Sequence, residues 1–405
     1  MFGFEYYLSG FEQNLSRSFF LLEIKKSYFG DTKLVVKIGT EIAIIYETFY
    51  YSESIIHMTY FISRRLLVLS VFFLCGYLSL SQSKDSFNRL FESDKILSVN
   101  ILTKIDSVMK DVGENPKKHK AVLSYIDQLG KTISLKVKLS TRGNFRKDPE
   151  HCDFPPLKIE FSGSNKKNTL FEGHNWLKLV THCTSGDQKY EQFLFKEYLV
   201  YKLYNILTPY SFRVRLLDIT YLDENFPSVS IRSYAFFIER PKHVAKRNGG
   251  EILNVKNFSV KDMEEYNFTI FTLFQYLIIN NDWSIRVLHN IKLILLDPFQ
   301  PYIPVPYDFD WAGIIDAPYR VSLKGLGNNG SDRSFTGICK SRKEMKFYFS
   351  IFNSKKQEIY DLYQNFSLLD SHHLESTLQY IDEFYSIINH PGSFGKEFRK
   401  KCLKK

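Results

Sequence analysis

The order of two hydrophobic patterns along the chain constrains its fold more than any other feature. Short apolar or alternating runs rich in Ile, Val and Leu lie between residues 96 and 161, and NWLKLVTHC at 175–183 continues them. Such runs predict β-strands. Beyond residue 340, KQEIYDLYQNF and HLESTLQYIDEFYSII have helical periodicity. With 44% hydrophobic residues the chain is globular, and we expect an α+β protein.

Between these regions the sequence predicts one long helix and several further strands. The segment from Gln192 to Leu207 has apolar residues near helical spacing, and Pro209 ends it. Ser259 can cap a second helix, which would continue to Asn280. The order predicts two lobes. The first is a β-rich N-lobe with one long helix at 82–239, and the second is a mainly helical C-lobe with a small hairpin at 240–405.

An apolar run near the amino terminus has the build of a secretory signal peptide. Arg64 and Arg65 precede the run 66–80, so we predict a signal peptide at 58–81. The run is short for a membrane span of roughly 20 residues, so we expect no stable span, although an uncleaved anchor or a buried helix is the alternative. Residues 1–57 are interpreted as an upstream extension from a start codon placed too early, or as a small extra module. The protein is therefore expected to be secreted or periplasmic.

Four cysteines follow the predicted signal peptide: Cys152, Cys183, Cys339 and Cys402. In an oxidising compartment Cys152 and Cys183 could close a loop of about 30 residues. Each also has a histidine directly before it, and two Cys/His pairs can bind zinc. Because a metal site built from two pairs of adjacent residues would be sterically awkward, we favour a disulfide or plain packing.

The charge of the chain is cationic but unevenly placed. Its formal net charge is +10, and residues 391–405 hold six Lys or Arg against one Glu, which gives +5. A cationic balance favours anionic partners without choosing among them. Because the sequence has no nucleic-acid-binding signature and no GxxxxGK phosphate loop, we expect no specific nucleic acid partner.

The segment with the most chemical information carries Asp282, Asn290, Asp308 and Asp310. In YIPVPYDFD, strand alternation would place Asp308 and Asp310 on one face. Next to a loop that offers an Asp and an Asn, they form a hard-oxygen site suited to Mg²⁺ or Mn²⁺. Mg²⁺ is usually held by one or two carboxylates and substrate phosphates, so a nucleotide is implied. A polar edge strand without a site is the alternative, which the two prolines of this segment would suit.

A phosphate-binding cation should then come from the β-rich region. Lys158 on the strand PPLKIEF and Glu197 on the long helix fit a cation paired with a helix carboxylate, and Arg142 is a second candidate cation. Each has an ordinary alternative, because Lys158 can be a solvated strand residue and Glu197 a surface helix residue.

The order of these motifs resembles the secreted CotH-type kinase family over about residues 139–313. The motifs are STRGNFRKDPEHCDFPPLKIEF, NWLKL, the helix with Phe195-Lys196-Glu197-Tyr198, YAFFIE, NNDWSIRVLHNIKL and VPYDFDW. The resemblance implies a two-lobed atypical protein-kinase-like fold. It also implies binding of ATP with Mg²⁺ or Mn²⁺ and transfer of phosphate to an acceptor hydroxyl on a protein or glycan.

The resemblance implies that Asp282 is the catalytic-loop acid. Asn290 and Asp308 would be metal ligands, and Asp310 is a further metal candidate. Lys158 would contact phosphate, and Glu239 would be a cofactor-binding position near the hinge between the lobes. Two departures from kinases are visible. The catalytic Asp and Asn are eight residues apart instead of five, and no glycine-rich nucleotide loop is present. A non-catalytic pseudokinase, acting as a periplasmic or cell-surface interaction protein, is therefore the alternative function.

Overall fold

A computed structural model of the protein describes residues 20–26, 32–38, 41–47, 86–163, 166–226, 228–253, 255, 257–320, 333–400 and 402–404. The chain divides into two units, residues 1–83 and 84–405. In the first unit β1 (Phe20–Lys26), β2 (Thr32–Ile38) and β3 (Glu41–Glu47) form an antiparallel sheet. The signal peptide predicted at 58–81 lies outside the described residues.

Seven strands of the second unit close into a barrel. They are β4 (Leu97–Thr103), β5 (His119–Ile126), β6 (Thr132–Thr141), β7 (Leu157–Phe161), β8 (Trp176–Thr181), β9 (Val214–Asp223) and β10 (Ser230–Ile238). The order is β10-β8-β7-β6-β5-β4-β9, and β9 pairs with β10 to close it. Alternate side chains such as Leu97, Val99 and Ile101 are buried in its interior, because successive strand residues point to opposite faces.

The prediction of a two-lobed, kinase-like fold is wrong. The predicted mixture of strands and helices is present, but the strands form a closed barrel, and residues 84–405 are one compact unit. Local periodicity located most of the strands, but closure depends on pairings between distant segments. In particular, β4 pairs in parallel with β9, which lies more than one hundred residues later in the chain.

Seven α-helices are present among the described residues: α1 (Ile105–Met109), α2 (Gln188–Leu207), α3 (Pro241–Arg247), α4 (Glu265–Ile278), α5 (Arg342–Ser354), α6 (Lys356–Gln364) and α7 (Ser371–Asn389). Short 3₁₀ turns lie at Ser86–Phe91, Phe145–Lys147 and Val260–Asp262, and a π-helical turn at Phe394–Arg399. None of the described helices combines the length and the apolar character needed to cross a membrane.

Helix α2 is the predicted long helix, and its middle residues 194–201 are buried on every side. Asp187 caps its first turn by accepting a hydrogen bond from the Lys189 backbone N–H at 2.9 Å. The helix lies against β9 and β10 on one side and against α4 and α6 on others. Glu197 is therefore 3% exposed, which excludes the interpretation of this residue as a surface helix position.

The second unit also contains a three-stranded sheet separate from the barrel. It consists of β11 (Glu251–Leu253), β12 (Ile291–Leu295) and β13 (Ile303–Pro306), all antiparallel. Because β13 is an edge strand, it tolerates its two prolines. The strand ends at Pro306, and Asp308 has the left-handed backbone angle φ of 64°. The predicted alternation through Asp310 is therefore wrong from Tyr307 onward.

Two disulfides hold loops of the second unit. Cys152 bonds to Cys183, with 4.7 Å between their Cα atoms, and Cys339 bonds to Cys402, with 4.9 Å between theirs. The first bond confirms the favoured disulfide over a zinc site. The second bond was not predicted, because sequence does not give the pairing of distant cysteines. It joins the carboxyl-terminal segment to the segment before α5, where the Cys339 backbone N–H donates to the Leu403 carbonyl at 3.0 Å.

A buried pair of histidines anchors the turn Ser86–Phe91 against the rest of the unit. The rings of His174 and His243 have centroids 4.9 Å apart, and His243 stacks on Phe87 at 4.2 Å. His174 Nε2 lies 3.0 Å from the Phe87 carbonyl. Burial lowers the pKa of His174 to about 3 and that of His243 to about 4, and nearby cations such as Arg240 lower both further. Both rings are therefore neutral at pH 7.

We expect His174 and His243 to reduce the stability of the protein as the pH falls from about 6.5 to about 4, a contribution that is isolated by comparing the protein with a histidine variant. Below the ordinary imidazole pKa of 6.5, the unfolded chain binds protons that the folded protein excludes. The free energy of unfolding then decreases by up to about 1.4 kcal/mol per pH unit for each histidine. Urea unfolding across this range measures the slope. A His243→Gln variant should show a shallower slope, and equal slopes for the two proteins would contradict the assignment.

Candidate functional site

Asp282 and Asn290, predicted as a catalytic acid and a metal ligand, are in direct contact. Asn290 Nδ2 donates to Asp282 Oδ2 and to the Asp282 carbonyl, both at 2.9 Å. His289 Nε2 lies 2.8 Å from Asp282 Oδ1. An antiparallel bridge between Ser284 and His289 folds the loop back on itself. The eight-residue spacing is therefore closed by a looped-out segment.

The loop is positioned by the end of α4. Ile279 adopts the left-handed conformation (φ 54°) and ends the helix, so that the following residues turn away from its axis. Asn280 is buried and its Oδ1 accepts the Asp282 backbone N–H at 3.0 Å. Asn290 also has a left-handed backbone (φ 53°). This conformation is less costly for Asn than for most residues.

The segment that carries Asp308 and Asp310 is fixed from two sides. The Asp308 backbone N–H donates to the buried Tyr201 hydroxyl of α2 at 2.9 Å. The Tyr307 backbone N–H donates to the Asn290 carbonyl at 3.1 Å, which joins this segment to the Asp282 loop. Phe309 is fully buried against Tyr201, with ring centroids 4.6 Å apart. The two aspartates are therefore held beside Asn290 although they do not lie on a strand.

The acidic side chains are close enough to perturb one another. Burial and the charges of Asp308 and Asp282 together raise the pKa of Asp310 to about 7, while Arg146 opposes this shift. Burial and Asp310 likewise raise the pKa of Glu197 well above its usual range. Four carboxylates from α2, the α4–β12 loop and the segment after β13 thus converge. We call Glu197, Asp282, Asp308 and Asp310, together with Asn290, the acidic cluster.

Three cations lie next to the acidic cluster. Arg146 Nη1 is 3.8 Å from Glu197 Oε2. Arg142 donates from Nε to the Leu157 carbonyl at 3.1 Å; burial lowers its pKa, and the charge of Asp308 opposes that decrease. Lys178 behaves similarly, because burial lowers its pKa to about 8 and Asp308 opposes the shift. The predicted Arg142 is thus at the site, and sequence reasoning missed Arg146 and Lys178.

Lys158 lies on the outer face of the barrel, directly across from Lys178 on the neighbouring strand, but its ammonium group pairs with Glu160. Its Nζ is 2.5 Å from Glu160 Oε1 and 5.5 Å from the centroid of the Trp176 ring. The anticipated pairing of Lys158 with Glu197 is not formed, since Glu197 pairs with Arg146. The sequence offered a signal for one of the missed cations, because Arg146 follows Arg142 by four residues. Lys178 is identified by the structure alone, since the pairing of β7 with β8 sets it directly opposite Lys158.

Glu239 is enclosed by two arginines. Its fully buried carboxylate lies 2.8 Å from Arg213 Nη2 and 3.1 Å from Arg247 Nε, and its Oε2 accepts the Arg213 backbone N–H at 3.1 Å. Arg247 also donates to the carbonyl oxygens of Pro209 and Ser211. These bonds tie the end of β10 to α3 and to the loop after α2. The structure therefore surrounds the predicted cofactor-binding residue with structural ion pairs.

Aromatic side chains stand beside the acidic cluster. Phe145 stacks on His151 with a centroid separation of 3.8 Å, and it lies 5.1 Å from Trp311 and 5.5 Å from Tyr319. Burial and the charge of Asp310 raise the pKa of Tyr319 well above its usual range. The rings of Phe145, Trp311 and Tyr319 are partly exposed. They therefore form an apolar wall next to the carboxylates.

The acidic cluster offers the oxygen ligands that a hard divalent cation prefers, but no three of its four carboxylates have oxygen atoms within 4.8 Å of one another. No described residue donates a hydrogen bond to the carboxylates of Asp308 and Asp310 or to Asn290 Oδ1. Clustered carboxylates without donors repel one another, and a cation relieves that repulsion. Carboxylate and amide oxygens are the ligands that Mg²⁺ and Mn²⁺ prefer.

Comparison of the chain with protein-family models, curated proteins and solved structures gives no match. The likeness to CotH-type kinases therefore depends on the motifs themselves, and any function must be argued from the chemistry of the site.

We expect Arg146→Gln to be far more destabilising than Lys158→Gln. Removal of Arg146 leaves the buried carboxylates of Glu197 and Asp310 with less compensation, which should cost about 3 kcal/mol. Lys158 belongs to a partly exposed pair with Glu160 and should contribute about 0–1 kcal/mol. Chemical unfolding of the two variants measures the difference. Equal losses would show that Glu197 does not depend on Arg146.

Proposed function

We propose that the protein is a phosphotransferase that moves a phosphoryl group from ATP to a hydroxyl group of a protein or glycan, with the help of Mg²⁺ or Mn²⁺. The observation that carries this proposal is the convergence of Asp282, Asn290, Asp308 and Asp310 beside a group of cations. The proposal rests on this chemistry and requires no particular fold.

Different side chains at and beside the acidic cluster would bind the metal and the phosphate groups. Asp308, Asp310 and the Oδ1 atom of Asn290 would hold the metal, which when bound neutralises charge on the phosphate groups. Arg142, Arg146 and Lys178 lie on the adjacent barrel side of the site. Charge-assisted hydrogen bonds from such cations bind phosphate oxygens strongly. Burial disfavours the charged forms of Arg142 and Lys178, so a bound anion would stabilise their positive charges.

Asp282 is the residue placed to receive a proton. Its side chain is 40% exposed, so an acceptor hydroxyl can approach it from solvent. Its two carboxylate oxygens are oriented by Asn290 and by the partly exposed His289. In this role Asp282 would accept the proton of the attacking hydroxyl, as a general base does in phosphoryl transfer.

The two disulfides support a setting outside the reducing cytosol. Bonds such as Cys152–Cys183 and Cys339–Cys402 persist mainly in oxidising compartments. We therefore place the proposed activity in a secreted or periplasmic protein. Sequencing the mature amino terminus tests this: a terminus soon after residue 81 supports export through the predicted signal peptide, and one within residues 1–57 contradicts it.

We expect ATP with Mg²⁺ or Mn²⁺ to raise the melting temperature of the protein. Asp308→Asn and Asp310→Asn should each remove most of this increase, because they remove negative charge from the metal site. Asp297→Asn is the matched control. Asp297 is exposed in the turn between β12 and β13, where its Oδ1 accepts the Phe299 backbone N–H. Differential scanning fluorimetry measures the shifts.

Transfer is measured separately from binding, with γ-labelled ATP and a mixture of protein and glycan acceptors. Asp282→Asn should keep the nucleotide-dependent thermal shift and slow transfer by a factor of about 10²–10⁴, the usual contribution of a general base. If the unmodified protein shows the thermal shift but transfers no phosphate, the protein binds a nucleotide without being a phosphotransferase. The absence of any shift would overturn the proposed site.

A further inference from the structure

A cavity of about 1110 Å³ lies on the side of α2 that carries Lys196. Its wall is formed chiefly by one face of α7, together with residues from the first half of α2 and from the end of α4. The lining residues used below are Lys196, Asp316, His372 and His373. Neither the acidic cluster nor the proposed phosphotransferase activity uses this cavity.

Lys196 and Arg333 are the cations of the cavity wall, and Asp316, Asp382 and Glu383 are its carboxylates. Lys196 is 2% exposed, and among the described residues its ammonium group donates one hydrogen bond, a long one of 3.3 Å to the Ile315 carbonyl. An ammonium group has three donors, so an anionic group that enters the cavity can accept from the remaining ones. Burial lowers the pKa of Lys196 to about 8, and the carboxylates of Asp316 and Asp370 oppose this shift.

Two histidines of the cavity wall belong to a set of metal-binding side chains. One ligand atom from each of Asp370, His372 and His373 lies within 4.8 Å of the other two. Tetrahedral zinc with bonds of about 2.0–2.1 Å separates its ligand atoms by about 3.3 Å. His372 is exposed and His373 partly so, so rotation of the side chains can close the remaining distance.

The carboxylate of this set is already held in place. Asp370 Oδ1 accepts the His373 backbone N–H at 2.8 Å and so caps α7, and it lies 2.9 Å from His373 Nδ1. The Asp370 backbone N–H donates to Gln192 Oε1 of α2 at 3.0 Å. Both carboxylate oxygens of Asp370 lie 2.9 Å from His373 Nδ1, so a metal that binds both side chains would replace this hydrogen bond.

We propose that Asp370, His372 and His373 bind a divalent transition metal of the zinc class, with an open coordination position toward the cavity, and that an anionic co-ligand bridges the metal and Lys196. Two imidazoles and one carboxylate are a common ligand set for a metal that keeps an open position. The co-ligand would bear a phosphate or carboxylate group, because this chemistry satisfies both the metal and the ammonium.

The test uses the full chain without an affinity tag, titrated with Zn²⁺ and, for spectroscopy, with Co²⁺. One equivalent of metal should bind. Asp370→Asn preserves the helix cap, since Asn caps as well as Asp, and should weaken binding about 10–100-fold, as should His373→Gln. His390→Gln, an exposed histidine just after α7, is the matched control and should change nothing. Binding unaffected by Asp370→Asn and His373→Gln would overturn the site.

Inorganic phosphate and acetate then test the co-ligand. Either anion should alter the visible spectrum of the Co²⁺-loaded protein, and Lys196→Met should weaken this response at least about 10-fold while Co²⁺ stays bound. An unchanged response in Lys196→Met would overturn the role of Lys196. The thermal shift with ATP and Mn²⁺ should persist in Asp370→Asn, so failure of this site and failure of the acidic cluster are distinguishable.

Discussion

The burial of the middle of α2 on every side is the constraint on which the rest of the second unit depends. The helix separates the outer surface of the barrel from the helices after β13, and its apolar side chains contribute to the core on both sides. Three buried polar residues of this stretch are Lys196, Glu197 and Tyr201. A polar group held in such an interior needs a partner. Lys196 and Glu197 are consecutive in the helix, so their side chains leave it in different directions and face the two proposed sites separately.

The acidic cluster is assembled by backbone conformations that few residues adopt. Ile279, Asn290 and Asp308 all have positive φ, with values of 54°, 53° and 64°. Asn and Asp tolerate this region, whereas for a β-branched residue such as Ile it is strained. Strained backbone is often found at functional sites, where surrounding contacts hold it. Here the contacts are hydrogen bonds to Tyr201 and Asp282 and the burial of Phe309.

Sequence reasoning recovered the parts of this site that local pattern controls. The helix carrying Glu197 was predicted because its apolar spacing is regular, and the proximity of Asp282 and Asn290 followed from their loop. The strand face proposed for Asp308 and Asp310 was wrong, because alternation gives no warning of a left-handed residue. The second predicted helix begins later than expected. Ser259 caps only a short 3₁₀ turn, and Glu264 caps α4.

The errors of longer range have a different cause. Lys158 was proposed because it is a lysine on a strand, and Lys178, which was not considered, has the same local character. Only the three-dimensional arrangement of the barrel decides which of the two is close to Asp308. Likewise, Glu239 reads as an isolated acid until Arg213 and Arg247 are seen around it. Ion pairs between distant residues depend on their three-dimensional positions, and no local pattern in a single sequence reveals those positions.

The parallel pairing of β4 with β9 also bears on how the chain reaches its native state. Residues Leu97–Thr103 pair with residues Leu217–Asp223. The first strand of the barrel is therefore synthesised long before one of the two strands that flank it. Pairings of such large separation slow folding. Until then β4 presents an unpaired edge that can join other chains. During synthesis, this protein should therefore depend on chaperones that keep the unpaired β4 edges of different molecules from pairing with each other.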